Sequence, residues 1–285
     1  MSARLTAVGL AALLALSACS PDSGSSSAPA SSSLPASSSA PASSTPASSS
    51  APAESSAPPA SATPASAAPA SSAPGPTPAA FTYNPPGVLQ AGGSGVSDAT
   101  VYMPGMRFPI EHAPAYPNSQ VWGHGGMNGP GGDQCDAVNY TYPWSDDFCE
   151  TRSYATPLCP SANGHQGDDI RPSTCAAAVH PAVAVEDGVI SQIGTYTVYL
   201  SGQSGRLYLY LHMQMNKLKV SLGDHVTRGQ ELGLVSNNFG SSSTTIHLHF
   251  EIKQAVTHGG STITTNVPPY TSLVAAYQRL LAGTP

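Results

Sequence analysis

Charge is scarce in this chain: only 9% of its 285 residues are Asp, Glu, Lys or Arg. The scarcity is concentrated in one place. Residues 20–80 contain only Asp22 and Glu54 as charged groups, no aromatic residue, and 13 of the 28 prolines. Such a stretch cannot bury enough apolar surface to offset the entropy of ordering it, and it is expected to be disordered. Basic residues are few in the remainder as well. From Phe81 to Pro285, nine Lys and Arg stand against fourteen Asp and Glu, a balance of −5. That argues against a nucleic-acid binder built on a basic surface. No two cysteines have Cys-x-x-Cys spacing, which argues against a cysteine metal site. The stretch that remains, about 205 residues, is long enough for one good-sized core or a two-lobed domain.

Arg4 precedes an apolar run from Ala7 to Leu16, too short to span a bilayer as a mature helix and laid out as an export signal. Leu16-Ser17-Ala18-Cys19 resembles a bacterial lipobox, which implies a signal peptide over residues 1–18 and lipidation of Cys19. Acyl chains on Cys19 would hold the protein at a membrane. Ser20, where a retention signal would carry Asp, implies the outer membrane of a Gram-negative cell, with the domain facing the periplasm. Residues 19–80 are then a Ser/Ala/Pro-rich tether. Fully extended as polyproline II it would reach about 190 Å, and as a flexible coil about 45 Å. A glycosylated stalk is another use of the same composition.

The four other cysteines, Cys135, Cys149, Cys159 and Cys175, are an even number in an exported chain, so two disulfides are expected. Short loops close at low entropic cost, which favours Cys135–Cys149 and Cys159–Cys175. The second of these bridges would enclose His165 and Asp169.

Three stretches carry chemistry. In Gly164-His165-Gln166-Gly167-Asp168-Asp169-Ile170 an imidazole and a carboxylate are four apart, and on an extended strand both would point the same way. Thr245 to Ile252 alternates strictly. His247, His249 and Glu251 share one face, and Ile246, Leu248, Phe250 and Ile252 share a core face. Paired imidazoles on an alternating strand suit a metal or a catalytic site better than a core. Leu207 to His212 also alternates, with Tyr208, Tyr210 and His212 expected on one face and the leucines on the other. His112, His124, His180, His225 and His258 sit in turns or beside strands, with no partner at ligand spacing in their own segments, and are read as non-ligands.

Together these motifs resemble the LytM/lysostaphin family of zinc metallopeptidases. The family's His-x-Gly-x-Asp lies at His165, Gly167 and Asp169, and its His-Leu-His-Phe-Glu at His247 to Glu251. Between them, His180 to Val185 with Asp187-Gly188-Val189 resembles its first strand pair. Tyr210-Leu211-His212 resembles its Tyr-x-His, and Val220 to Gln230 its Val-x-x-Gly-Asp-x-Val-x-x-Gly-Gln turn. The resemblance covers roughly residues 160–255. It implies that His165, Asp169 and His249 bind Zn²⁺ and that His212 and His247 form the catalytic pair. One of the pair would accept a proton from the attacking water and the other would stabilise the oxyanion, and either assignment fits the sequence. Asp168 and Glu251 are read either as partners that orient the ligands or as solvent-facing spectators. Some members of the family are held latent by an N-terminal Asn placed on the zinc, and Asn128 is the counterpart to consider.

The implied fold is mainly β. An antiparallel LytM-type domain of the duplicated-hybrid-motif kind spans residues 161–285, with a C-terminal helix around Ser272 to Leu281. Residues 81–160, rich in Gly, Pro and Tyr, are expected to be an irregular, disulfide-containing extension that packs on this domain and walls the substrate groove. The implied activity is a zinc endopeptidase that cuts peptide cross-links of peptidoglycan, with D-alanyl to diaminopimelate links expected in a Gram-negative wall. One alternative is a non-catalytic regulator of a cell-wall amidase, in which the ligand positions are degenerate; here the three ligand and two catalytic positions are all intact, which favours the enzyme. The other alternative is an exported peptidase that acts on proteins.

Overall fold

Alternation becomes sheet wherever the sequence supplies β-branched and aromatic residues on a two-residue period. A computed structural model of the protein describes residues 80–90, 92–117 and 133–285. The expected signal peptide, Cys19, the tether as far as residue 79, His124 and Asn128 lie outside the described residues. The strands run, in order, β1 (Asp168–Ile170), β2 (Pro181–Val183), β3 (Gly188–Ile193), β4 (Thr197–Gly202), β5 (Leu207–Leu211), β6 (His225–Val226), β7 (Glu231–Leu234), β8 (Ser236–Phe239), β9 (Ser242–His258) and β10 (Ser261–Val267). One helix, α1 (Tyr270–Leu281), closes the chain. The fold is thus mainly antiparallel β with a short C-terminal helix, as expected.

The main sheet has the order β1-β9-β5-β4-β3-β6, with β8 and β10 also paired to β9, while β2 and β7 form a separate two-stranded sheet. The 17-residue β9 is the hub. Its Leu248, Phe250 and Ile252 are fully buried and form one core with Tyr208, Tyr210, Val198, Leu200 and Ile190 from the neighbouring strands. Strand β10 was not anticipated, although Gly259 and Gly260, both at positive φ, make the tight turn of a hairpin into the Thr-rich run that follows. Helix α1 starts at Tyr270, directly after Pro268 and Pro269, and is followed by Gly283 in the left-handed region, the expected stop.

The extension shares this core and does not merely cover it. Met106, Phe108, Ile110 and Trp144 are fully buried in the same cluster as the strands and helix. Trp144 lies 4.4 Å (ring centroids) from Tyr277 of α1, and Phe81 lies 4.8 Å from each. Each such side chain stabilises by about 1.5–3 kcal/mol through burial. Main-chain bridges Ile110 to Ala182 and Tyr116 to Arg171 fasten the extension to the strand region.

The cysteine pairing differs from the expected one: the bridges are Cys135–Cys175 and Cys149–Cys159. Loop-closure entropy changes by only about 0.6 kcal/mol per doubling of loop length, too little to choose among short loops. Local backbone geometry decides instead. An antiparallel contact between Ala155 and Asn163 folds the chain back, and Cys159 meets Cys149 beside Phe148 in a small apolar cluster of their own. The other bridge ties the extension to the segment between β1 and β2, and it is this one that encloses His165 and Asp169. Replacing Cys135 and Cys175 with alanine together is expected to cost about 2–4 kcal/mol, seen as a melting point lowered by about 5–15 °C. An unchanged melting curve would show that the extension is held by packing alone.

Candidate metal centre and catalytic cleft

Register sets the site. Strands β1 and β9 pair with Asp169 opposite His249, and directly opposed residues of an antiparallel pair present their side chains on the same face. His249 Nδ1 therefore lies 2.9 Å from Asp169 Oδ1. His247, two residues earlier on β9, brings Nε2 to 3.4 Å from the same oxygen. His165 brings its Nε2 to 3.4 Å from that oxygen as well. It reaches the site differently from the way the sequence suggested. Strand β1 begins only at Asp168, so His165 lies on a loop before it, and the pleat does not align the two side chains. Gly167 makes the approach feasible: a Cβ there would fall 2.2 Å from the main-chain oxygen of Phe250.

His212 departs from the expected alternation. Tyr208 and Tyr210 face the core, stacking around Phe250, and Leu211, opposite His249, lines the cleft. Continued alternation would aim His212 into the core with the tyrosines. Instead its φ is +66°, a left-handed conformation rare outside glycine, and the imidazole turns into the cleft, 4.6 Å from His247 between ring centroids. The main chain is held on both sides, with His212 N–H donating to the Tyr196 carbonyl and Ser236 N–H donating to the His212 carbonyl. Tyr196 stacks nearly parallel to the ring, 5.8 Å away.

These residues converge on a cleft of about 320 Å³ lined by His165, Asp169, His212, His247, His249 and Glu251 together with Arg152, Tyr154, Gln166, Tyr196, Leu211, Phe239 and Thr244. The ligand atoms of His165, Asp169 and His249 all lie within 4.8 Å of one another. His112, His180, His225 and His258 are elsewhere; His112 is exposed beside Glu111 and His180 bonds to Thr174.

The hydrogen bonds fix which nitrogen of each imidazole is available. His165 Nδ1 faces the Asp147 carbonyl at 3.0 Å, His247 Nδ1 the Thr245 carbonyl at 2.9 Å, and His212 Nδ1 the Asn238 carbonyl at 2.8 Å. A carbonyl only accepts, so each Nδ1 carries the hydrogen and each Nε2 keeps a lone pair. His249 is reversed: Nε2 lies 3.1 Å from Glu251 Oε1 and donates to it, which leaves Nδ1 for a ligand. Asn266 Nδ2 donates to the other Glu251 oxygen at 2.6 Å. Two imidazoles and a carboxylate, with both imidazoles held through the second nitrogen, are the donor set of a catalytic zinc site. A second convergence, Asp147, Glu150 and His165, lies behind His165, and neither of its carboxylates lines the cleft.

Burial opposes charge on every group here. For Asp169 burial would raise the carboxyl, but the His165 and His247 imidazoles together prevail and hold it well below the usual carboxylate range. His165 and His249 are raised against burial, the first by Asp169 and the second by its bonds to Asp169 and Glu251. His212 and His247 go the other way. Burial dominates for both, neighbouring imidazoles add to it for His212, and the neutral rings are favoured.

Asp168 and Glu251 are both buried, so the solvent-facing reading of either is set aside. Glu251 contacts His249 directly. Asp168 stands one step further back, its Oδ1 accepting from the Asp147 N–H whose residue supplies the carbonyl for His165. Asp147 itself escaped the sequence reading. Its carboxylate also accepts the Asp169 N–H at 3.0 Å, and the only sequence sign was an acidic pair set between Trp144 and Phe148. Glu251→Gln is expected to weaken metal affinity about 10- to 100-fold, measured by competition against a chelator. An unchanged affinity would make Glu251 a spectator.

Residues 163–263 match peptidase family M23, so the LytM/lysostaphin resemblance read from the motifs holds over that stretch. No curated protein matches the chain in sequence. Among solved structures the chain is similar to the catalytic domain of the antimicrobial peptidase lysostaphin from Staphylococcus simulans, at 24% identity over 45% of this chain and 92% of that one, with a TM-score of 0.32. It is also similar to a chain assigned as a glycyl-glycine endopeptidase LytM of Ruminococcus gnavus, at 24% identity over 40% and 47% of the two chains, TM-score 0.33. A zinc containing peptidase from Vibrio cholerae is similar at 24% identity over 35% and 29%, TM-score 0.27. The match thus spans less than half the length of the last two.

Proposed function

We propose that this chain, with its peptidase family M23 domain over residues 163–263, is a zinc metallo-endopeptidase that hydrolyses the peptide cross-links of peptidoglycan. The observation that carries the proposal is the convergence of His165, Asp169 and His249 within 4.8 Å on a cleft that also presents His212 and His247. A zinc held by those three residues would polarise the scissile carbonyl and acidify a water at its open position. The chain's own groups do the rest. His212 and His247, neutral through burial, each offer a lone pair at Nε2 to take the proton of the attacking water. The Asn238 and Thr245 carbonyls hold the opposite N–H of each ring, so neither imidazole turns away from the cleft. A proton gained at Nε2 is then returned to the leaving amine; the partner ring can steady the oxyanion only in the form that carries a proton at its own Nε2, where it becomes a donor.

The proposal extends to the parts outside the described residues. A lipid on Cys19 and a tether over residues 19–80 would let the domain reach an immobile polymer from the outer membrane, facing the periplasm. Support comes from the Leu16-Ser17-Ala18-Cys19 motif and from the composition that follows it.

Purified cross-linked muropeptides test the reading. Release of monomers from dimers, blocked by a chelator, is the expected result. Dimers left intact by fully zinc-loaded protein would point to an amidase regulator, or to a peptidase acting on proteins.

A further inference from the structure

We infer that the cleft contains a carboxylate-binding subsite built on Arg152, and that the preferred peptide carries a free carboxylate close to the scissile bond. The inference rests on the peptidase reading above. The subsite lies on the loop closed by Cys149–Cys159, ahead of the stretch that matches the peptidase family.

The loop is fastened directly to the metal-binding segment. His165 N–H donates to the Glu150 carbonyl, Cys149 N–H to the His165 carbonyl, and Gly164 N–H to the Tyr154 carbonyl. Thr156 Oγ1 donates to the Gly164 carbonyl at 2.9 Å, and Gln166 Nε2 to the Ala155 carbonyl at 2.9 Å. A group carried on this loop therefore holds a fixed position relative to His165, which is what a specificity element requires.

Arg152 is such a group. Among the described residues that line the cleft it is the one lysine or arginine. Its side chain is only 12% exposed, with the Glu150 carboxylate, fully buried, 3.8 Å from Nη2. That separation is longer than a hydrogen bond, so Glu150 orients the guanidinium electrostatically without occupying its fork. Nη1 donates to the Thr151 carbonyl at 2.9 Å. Of the five N–H donors of a guanidinium this uses one, and the edge that remains has the geometry to take a carboxylate through two parallel bonds. Metal-binding and proton-transfer groups line the same cleft, so a carboxylate seated on Arg152 would register the peptide against them. A neutral peptide such as a glycine chain offers Arg152 carbonyl oxygens but no charged partner for a paired hydrogen bond.

The test uses the zinc-loaded full chain and two synthetic cross-linked peptide dimers that differ at one place: the carboxylate beside the cross-link is free in one and amidated in the other. The wild type is expected to prefer the free acid by about 10- to 100-fold in kcat/KM, the worth of a charged hydrogen-bonded pair. Arg152→Gln should lower kcat/KM for the free acid, through KM, by about 10- to 100-fold more than for the amide, and Arg152→Lys should restore part of the difference. Equal loss on both dimers in Arg152→Gln, or an intact preference, would overturn the subsite and leave Arg152 as a counter-charge to Glu150 alone. Calorimetric binding of the same dimers separates the two layers of the argument. Selective binding of the acid without cleavage keeps the subsite and defeats the peptidase reading; cleavage of both dimers at equal rates does the reverse. Failure to bind either dimer would also overturn the subsite.

Discussion

Asp169→Ala is expected to bring bound zinc from one per chain to nearly none and turnover to background, while the far-ultraviolet circular dichroism stays that of a β protein. The reason is geometric. One oxygen of Asp169 is within 3.4 Å of nitrogens of His165, His247 and His249, so it is the point on which the imidazoles close. Removing a ligand should weaken binding by more than the roughly 10- to 100-fold that loss of an outer partner costs. The main chain at this position is held separately, by the Asp147 carboxylate on the Asp169 N–H and by the β1–β9 pairing, so the strand survives the substitution. His112→Ala is the control: that ring is exposed beside Glu111, and metal content and turnover should both be unchanged. If Asp169→Ala retained a full complement of zinc, the metal would be bound elsewhere.

His247→Ala and His212→Ala are expected to give the opposite signature: zinc retained, with kcat lowered by about 10²- to 10⁴-fold in each. Neither is among the three converging ligand groups, yet both line the cleft with an Nε2 lone pair toward it. Their rings are 4.6 Å apart and act on one proton path, so the double variant should lose little more than the worse single variant, far less than the product of the two losses. Loss of zinc in either variant would make that histidine a ligand. Measuring zinc content and kcat on the same preparations separates the two outcomes.

How much of this was legible in the sequence depended on how local each feature is. Alternation along β9 predicted which side chains form the core, because a pleated strand obeys a period of two whatever surrounds it; along β5 it separated the tyrosines from the leucines without showing that the tyrosine face is the one packed around Phe250. Gly167 in the His165 motif was legible as a position and its reason was not: the close approach is to Phe250, more than 80 residues away. The direction of His212 was misread because one residue at φ +66° reverses a side chain, and nothing in Tyr210-Leu211-His212 announces that conformation. The disulfide partners were misassigned because entropy distinguishes short loops weakly, whereas the Ala155–Asn163 contact together with the main-chain pairing of Cys149 and Glu150 with His165 sets Cys159 beside Cys149. Asp147, Arg152 and Tyr154 were missed for a shared reason. They lie in a segment with no periodic pattern, and their importance arises only when that segment folds against His165.

The central claim is that five side chains form one metal-dependent hydrolytic site. Its most direct measurement is a titration of zinc into chelator-stripped full-length protein, following release of monomers from cross-linked muropeptide dimers. Cleavage should be at background without metal, rise in proportion to added zinc, and level off at one zinc per chain. Cleavage by the stripped protein, or none at full occupancy, would contradict it.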